Sequence, residues 1–187
     1  MKRTFYFLML VLSSSFLVYS CNDDDDKTQD VIKVTIGAQG NTASGGFYSV
    51  AENKVYTMDA AFQNQGAIDI LCFYEAENGN NIAIASPGAG ISDIFTGDSA
   101  PENWTTLDTT YYTKTNLTVE QFDALVETDQ LIETSFDPDN SFRKAKNLIV
   151  DDIYAFQVQS GTYCILKVTE VVQGDDGSVT FEVKVKK

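Results

Sequence analysis

Cys72 and Cys164 are the most reactive side chains in the body of this chain, and each lies inside an apolar run, ILCFY and YCILKV. In an exported protein the two could pair, closing a loop of about 90 residues and adding on the order of 4 to 5 kcal/mol in the chain-entropy description. The other use of such residues is as small buried hydrophobes with inert thiols. Neither has a histidine to activate it, because the chain contains none. The commonest general base and the commonest neutral metal ligand are therefore missing, which excludes Ser-His and Cys-His nucleophiles and any His-bearing zinc site.

The carboxylates offer little more. DPDNS (137–141) alternates acids as calcium loops do, but an EF-hand needs glycine at position 142 and glutamate at position 148, where Phe142 and Leu148 stand. A Pro-containing turn is the simpler reading, and no metal site is assigned. GAQGNTASGG (37–46) lacks the Lys-Ser/Thr ending of a phosphate cradle. No pair of acids is nominated for a carboxylate-based glycosidase, so that activity ranks last. Tyr48, Tyr56, Trp104, Tyr111 and Tyr112 are the residues that could line a ligand groove, since an aromatic face stacks on a sugar ring or a flat cofactor while its edge stays polar. Core packing is their alternative use, and no cofactor is assigned.

A third cysteine carries a different chemistry. Met1, Lys2 and Arg3 precede an uncharged stretch from Thr4 to Tyr19, the layout of a secretory signal peptide. That stretch falls short of the roughly 20 apolar residues of a spanning helix. Val18-Tyr19-Ser20-Cys21 resembles the bacterial lipobox, which implies acylation of Cys21 as the new N-terminus. Acyl chains contribute about 0.8 kcal/mol per buried methylene, enough for several to hold a domain at a membrane. Asp23, Asp24, Asp25 and Asp26 follow, and resemble the acidic export signal of surface lipoproteins of the Bacteroidota. As a block of like charges they are also a solvated tether. The expected organisation is a signal peptide over 1–20, a lipidated acidic tether over 21–30 and one β-rich domain over 31–187. Its expected place is the outer membrane, lipid-anchored and facing the cell exterior.

Loss of the leader removes Lys2 and Arg3, leaving 11 basic against 27 acidic side chains and a net charge of −16. Such a field repels nucleic acid, and no Lys/Arg stretch interleaved with aromatics offsets it.

The elements that must position any site are strands. VIKVTI (31–36), FYSV and KVYTM read as strands, the last two joined as a short hairpin. AIDILCFYE (67–75) places Ile68, Ile70, Cys72 and Tyr74 on one face and Leu71 and Phe73 on the other, so it should be covered on both sides, as a central strand is. NIAIA (81–85) and TTYYT (109–113) follow. Thr118 with Gln121 forms a capping box before Val119, Phe122, Leu125 and Val126, the one helix expected. The last third reads as a three-stranded meander, with Val179, Phe181, Val183 and Val185 facing the core and Thr180, Glu182, Lys184 and Lys186 facing water. About nine strands and one short helix predict a mainly β fold, an antiparallel sandwich or flattened barrel.

FYSVAENKVYTM, AIDILCFYE and the closing IYAFQVQSGTYCILKVTEV and GSVTFEVKV together resemble the haemophore-like HmuY lipoproteins. The resemblance implies a β-rich surface lipoprotein that binds haem. Members of that family hold the iron through paired His or Met side chains, of which the mature chain offers Met58 alone, so no ligand position carries over. The function expected is that of a non-enzymatic binding or accessory lipoprotein for a glycan, a small apolar ligand or an envelope protein. Haem or another tetrapyrrole is the alternative.

Overall fold

The computed structural model describes residues 31–76, 79 and 81–187. The signal peptide, Cys21 and the acidic run lie outside the described residues. Ten strands follow in order: β1 (Ile32–Gly37), β2 (Phe47–Ser49), β3 (Lys54–Tyr56), β4 (Ile70–Glu75), β5 (Asn81–Ala85), β6 (Tyr111–Lys114), β7 (Lys144–Ala145), β8 (Ile153–Gln157), β9 (Tyr163–Val172) and β10 (Ser178–Val185). Three short helices interrupt them, α1 (Met58–Phe62), α2 (Val119–Ala124) and α3 (Gln130–Thr134).

The strands form two five-stranded antiparallel sheets, β1-β10-β9-β8-β6 and β3-β2-β4-β5-β7. They pack as a β-sandwich and do not close into a barrel. The closing meander is the one its alternation predicts, and β1 adds to its edge with Ile32 opposite Val183 and Gly37 opposite Ser178. Val34, Ile36, Ile70, Ile84, Phe156, Leu166 and Phe181 meet in the core between the sheets. Each such side chain contributes roughly 1.5 to 3 kcal/mol on full burial.

β4 is central in its sheet and is covered on both faces, as its unbroken apolar run requires. Cys72 and Ile70 enter the inter-sheet core, while Leu71 and Phe73 face a second cluster with Phe47, Phe95 and Trp104. Ile68 departs from the expected alternation and joins that second cluster, because the strand starts only at Ile70, after a 3-10 turn over Gln65–Ala67. A third cluster lies on the outer face of the first sheet, where Phe122, Leu125 and Ile132 of the α2–α3 region cover Ile153 and Ile165.

Helix content exceeds the single helix expected. The Thr118–Gln121 capping box is present on α2. KVYTM, however, ends as a strand at Tyr56, and Thr57 caps α1 by accepting from the Ala60 N–H. The turn-rich segment before residue 147 also contains β7, whose two residues give no periodic signal.

The supposedly wet face of β10 is corrected too. Thr180 and Lys184 are 3% and 2% exposed: the Lys184 ammonium is covered by the end of α2, and the Thr180 hydroxyl is paired with that of Thr35 on β1 at 2.9 Å. In DPDNS, Asp137 accepts from the Asp139 N–H and from the Asn140 side chain, capping a 3-10 turn over Pro138–Asn140. Among the described residues no three Cys, Asp or Glu side chains come together as a metal-holding group.

Candidate ligand cleft

The five aromatic residues singled out by the sequence do not line one groove. Tyr48 and Tyr112 lie in the inter-sheet core, and Tyr56 and Trp104 in the second cluster. Tyr111 alone is exposed, at 41%. Alternation explains the split, since Tyr111 and Tyr112 are neighbours on β6 and point to opposite faces of the sheet. Tyr48 donates from its hydroxyl to Asn53 Oδ1 at 3.1 Å, whereas the Tyr112 hydroxyl is buried without a partner among the described residues. The Trp104 indole donates to the Ser99 carbonyl, and the Tyr56 hydroxyl to Glu52.

Cys72 and Cys164 are both free and both fully buried in the inter-sheet core, so the cross-link is not formed. Burial pushes both thiols well above their ordinary range. Neither is available as a thiolate nucleophile.

A recess lies elsewhere, a cleft of about 590 Å³, within the span of small-molecule sites. It gathers the end of β4 (Tyr74, Glu75), the loop after a 3-10 turn (Ile91 to Ile94), Lys144 of β7, and the tips of two connections, Gln39 and Asp175. Sequence reading did not find it, because its members come from five separate segments and none belongs to a motif.

Gln39 builds one wall. Its side-chain amide pairs with the Tyr74 backbone as another strand would, Nε2 donating to the Tyr74 carbonyl at 3.0 Å and Oε1 accepting from the Tyr74 N–H at 2.9 Å. Nε2 also donates to Asp175 Oδ1 at 2.9 Å, tying the β9–β10 turn to β4. The loop holding Gln39 is folded on itself by Asn41, whose Oδ1 accepts from the N–H groups of Ala43 and Ser44 and whose Nδ2 donates to the carbonyls of Asp176 and Gly177. In that loop Gly45 has no room for a side chain against the Tyr56 carbonyl. The Gly-rich stretch is thus required by close backbone approach, not by a phosphate.

Charge in the cleft is partly neutralised and partly free. Lys146 Nζ donates to both oxygens of Glu75 at 2.8 Å. Lys144 Nζ lies 5.8 Å from the centre of the Phe73 ring and has no carboxylate within ion-pair distance among the described residues. Asp93 and Asp175 are exposed on the rim.

Register places the cleft relative to the N-terminal end of the sheet. The chain enters at Ile32 and leaves β1 at Gly37, roughly 17 Å further along at about 3.4 Å per residue. Gln39 follows at once, and the Gly40 N–H donates to the Asp175 carbonyl. The cleft therefore opens at the end of the sandwich opposite residue 32. A smaller recess of about 240 Å³ is lined by Met58, Phe47 and Phe95 beside the same Gly-rich loop.

No protein-family profile matches this chain. No curated protein matches it either. Among solved structures it is similar to a DUF4466 family protein from Parabacteroides merdae, with a TM-score of 0.55 and 15% sequence identity, covering 83% of this chain and 52% of that one. The chain spans about half the length of that protein, and the likeness is one of fold alone.

Proposed function

We propose that this protein is a lipid-anchored, surface-displayed binding lipoprotein that works without catalysis and holds its ligand in the cleft beside Tyr74. The observation that carries this reading is the position of the cleft. Residue 32 is where a tether from an acylated Cys21 would join the fold, and the cleft opens at the other end, facing away from an anchoring membrane. Lipidation and export rest on Val18 to Cys21 and on Asp23 to Asp26.

Binding is favoured over chemistry by the side chains available. The chain has no histidine, and Glu75 is held through both oxygens by Lys146, leaving it poorly placed to move a proton. Residues from five segments converging on one recess are what recognition requires.

Two measurements test the two halves of the proposal. Protease added to intact cells should remove the protein, and replacing Asp23 to Asp26 by Ala should protect it; full protection of the wild type refutes surface display. A screen of small polar fragments against the purified, 15N-labelled protein should give hits that shift the amides of Tyr74, Gly90 and Lys144. Hits confined to other surfaces refute the site.

A further inference from the structure

We infer that the cleft takes a neutral saccharide, a pyranose or the end of a short glycan, recognised through vicinal hydroxyls and one apolar sugar face. This rests on the reading of the cleft as the ligand site and assigns that site a chemical class.

The groups left free in the cleft carry both signs. Lys144 has no carboxylate partner among the described residues, Asp93 is exposed, and Asp175 has one oxygen engaged by Gln39 and the other open. An anionic ligand drawn to Lys144 would face both aspartates, within a mature chain of net charge −16. A cationic ligand drawn to the aspartates would face the Lys144 ammonium. A hydroxyl satisfies both, since it donates to a carboxylate and accepts from an ammonium. Adjacent hydroxyls on a ring do so at neighbouring points without bringing a charge that must be desolvated.

The apolar half of the site is already in place. Tyr74 is half-buried, and its backbone is fixed from both sides, by Ile82 across the sheet and by the Gln39 amide. Its side chain packs against the inter-sheet core, so the ring is held before any ligand arrives, which lowers the ordering cost of binding. Ile91 and Ile94 supply further apolar wall. A ring with an apolar face and a hydroxyl edge matches a pyranose, whose C–H groups cluster on one face and whose hydroxyls lie around the rim. Glu75 adds no net charge to this surface, because Lys146 neutralises it.

The test is a titration of the purified, 15N-labelled protein with three sets of probes: neutral hexoses and their disaccharides, glucuronate, and spermidine. The amides of Tyr74, Gly90 and Lys144 are followed. Neutral sugars should shift them saturably, and glucuronate and spermidine should not. Tyr74→Ala should weaken sugar binding about tenfold, the loss of roughly 1.4 kcal/mol of stacking, while Tyr74→Phe retains most of it. Lys144→Met should weaken it about threefold, as loss of one hydrogen-bonding group does. The spectrum of each variant reports whether it is folded. Saturable shifts from glucuronate or spermidine alone overturn the saccharide assignment and leave the cleft as the ligand site. If these sugars leave the three amides unmoved while fragments of another class move them, the saccharide assignment fails alone. If sugars and fragments both leave them unmoved, the site falls with it.

Discussion

The Lys184 ammonium lies 2.7 Å from the carbonyl oxygen of Phe122 and 4.8 Å from the centre of the same residue's ring. It also donates to the carbonyls of Asp123 at 3.0 Å and Leu125 at 2.7 Å, so its three protons meet three acceptors at the end of α2. The Phe122 carbonyl also accepts from the Leu125 N–H, and a cation at this end of the helix is favoured by the local dipoles. Lys167 approaches the same ring at 4.9 Å and is itself paired with Asp123 and Glu182. Lys184→Met keeps the length and apolar stem while removing all three hydrogen bonds. It should destabilise the fold by about 2 to 4 kcal/mol, read as a lower denaturation midpoint in urea with an unchanged slope.

Asp69 sets a pH dependence. It is 8% exposed, and burial, with a smaller contribution from the Asp108 charge, pushes its carboxyl up to about 6 against the lowering effect of the Val50 N–H it accepts from. The unfolded carboxyl titrates near 3.8, so between these two values the folded chain holds the extra proton and stability falls as pH rises. The loss attributable to this group between pH 4 and pH 7 is about 2 kcal/mol. Asp137, held below the usual carboxylate range by the Asn140 side chain, acts in the opposite direction at lower pH. The comparison is therefore between wild type and Asp69→Asn. The stability advantage of the variant should grow from pH 4 to pH 7, and parallel curves would show that Asp69 ionises without cost.

Tyr48 and Tyr112 make a matched pair for a second comparison. Both are fully buried between the sheets, but only the Tyr48 hydroxyl has an acceptor, Asn53 Oδ1. Tyr48→Phe should cost about 1 kcal/mol, and Tyr112→Phe should be neutral or stabilising by up to about 1 kcal/mol, because it removes a desolvated hydroxyl that gains nothing in return. Thermal melts of the two variants should move in different directions.

The parts of this molecule that were legible in its sequence are those where one strand's own pattern decides its surroundings. Ile70 to Phe73 are apolar at every position and lie in a strand covered on both faces; Val179, Phe181 and Val183 alternate and face the core. Lys184 was read as wet because alternation describes a strand alone, and nothing in β10 announces that a helix some 60 residues earlier in the chain will cover it. The cleft was hidden for the same reason. Gln39 and Tyr74 meet through a side chain that imitates a strand, a contact without sequence period. Aromatic residue type was a poor guide to the site, because four of the five candidates are used to fill the two cores.

Cys72 and Cys164 give a direct test of the unbridged state. In the native protein neither thiol should react with a thiol reagent over minutes, since burial blocks access and holds both protonated. After unfolding in guanidinium both should label without prior reduction. Labelling that requires reductant would show that the protein is cross-linked in solution.

Haem binding can be decided through Met58, the one methionine among the described residues. Its side chain is half-buried against the second cluster and lines the smaller recess, whose volume of about 240 Å³ is below the lower end, about 300 Å³, of small-molecule sites. Phe47 lies 5.5 Å from both Phe95 and Trp104, ring centre to ring centre, so the wall behind Met58 is already filled by aromatic packing. Opening a porphyrin slot there would break these contacts, each worth about 0.5 to 1.5 kcal/mol beyond area burial. Titration with haem should therefore leave the Soret band where free haem has it, in wild type and Met58→Ala alike. A saturable Soret shift that disappears in Met58→Ala would establish the haemophore reading and would mean that Phe47, Phe95 and Trp104 separate on binding.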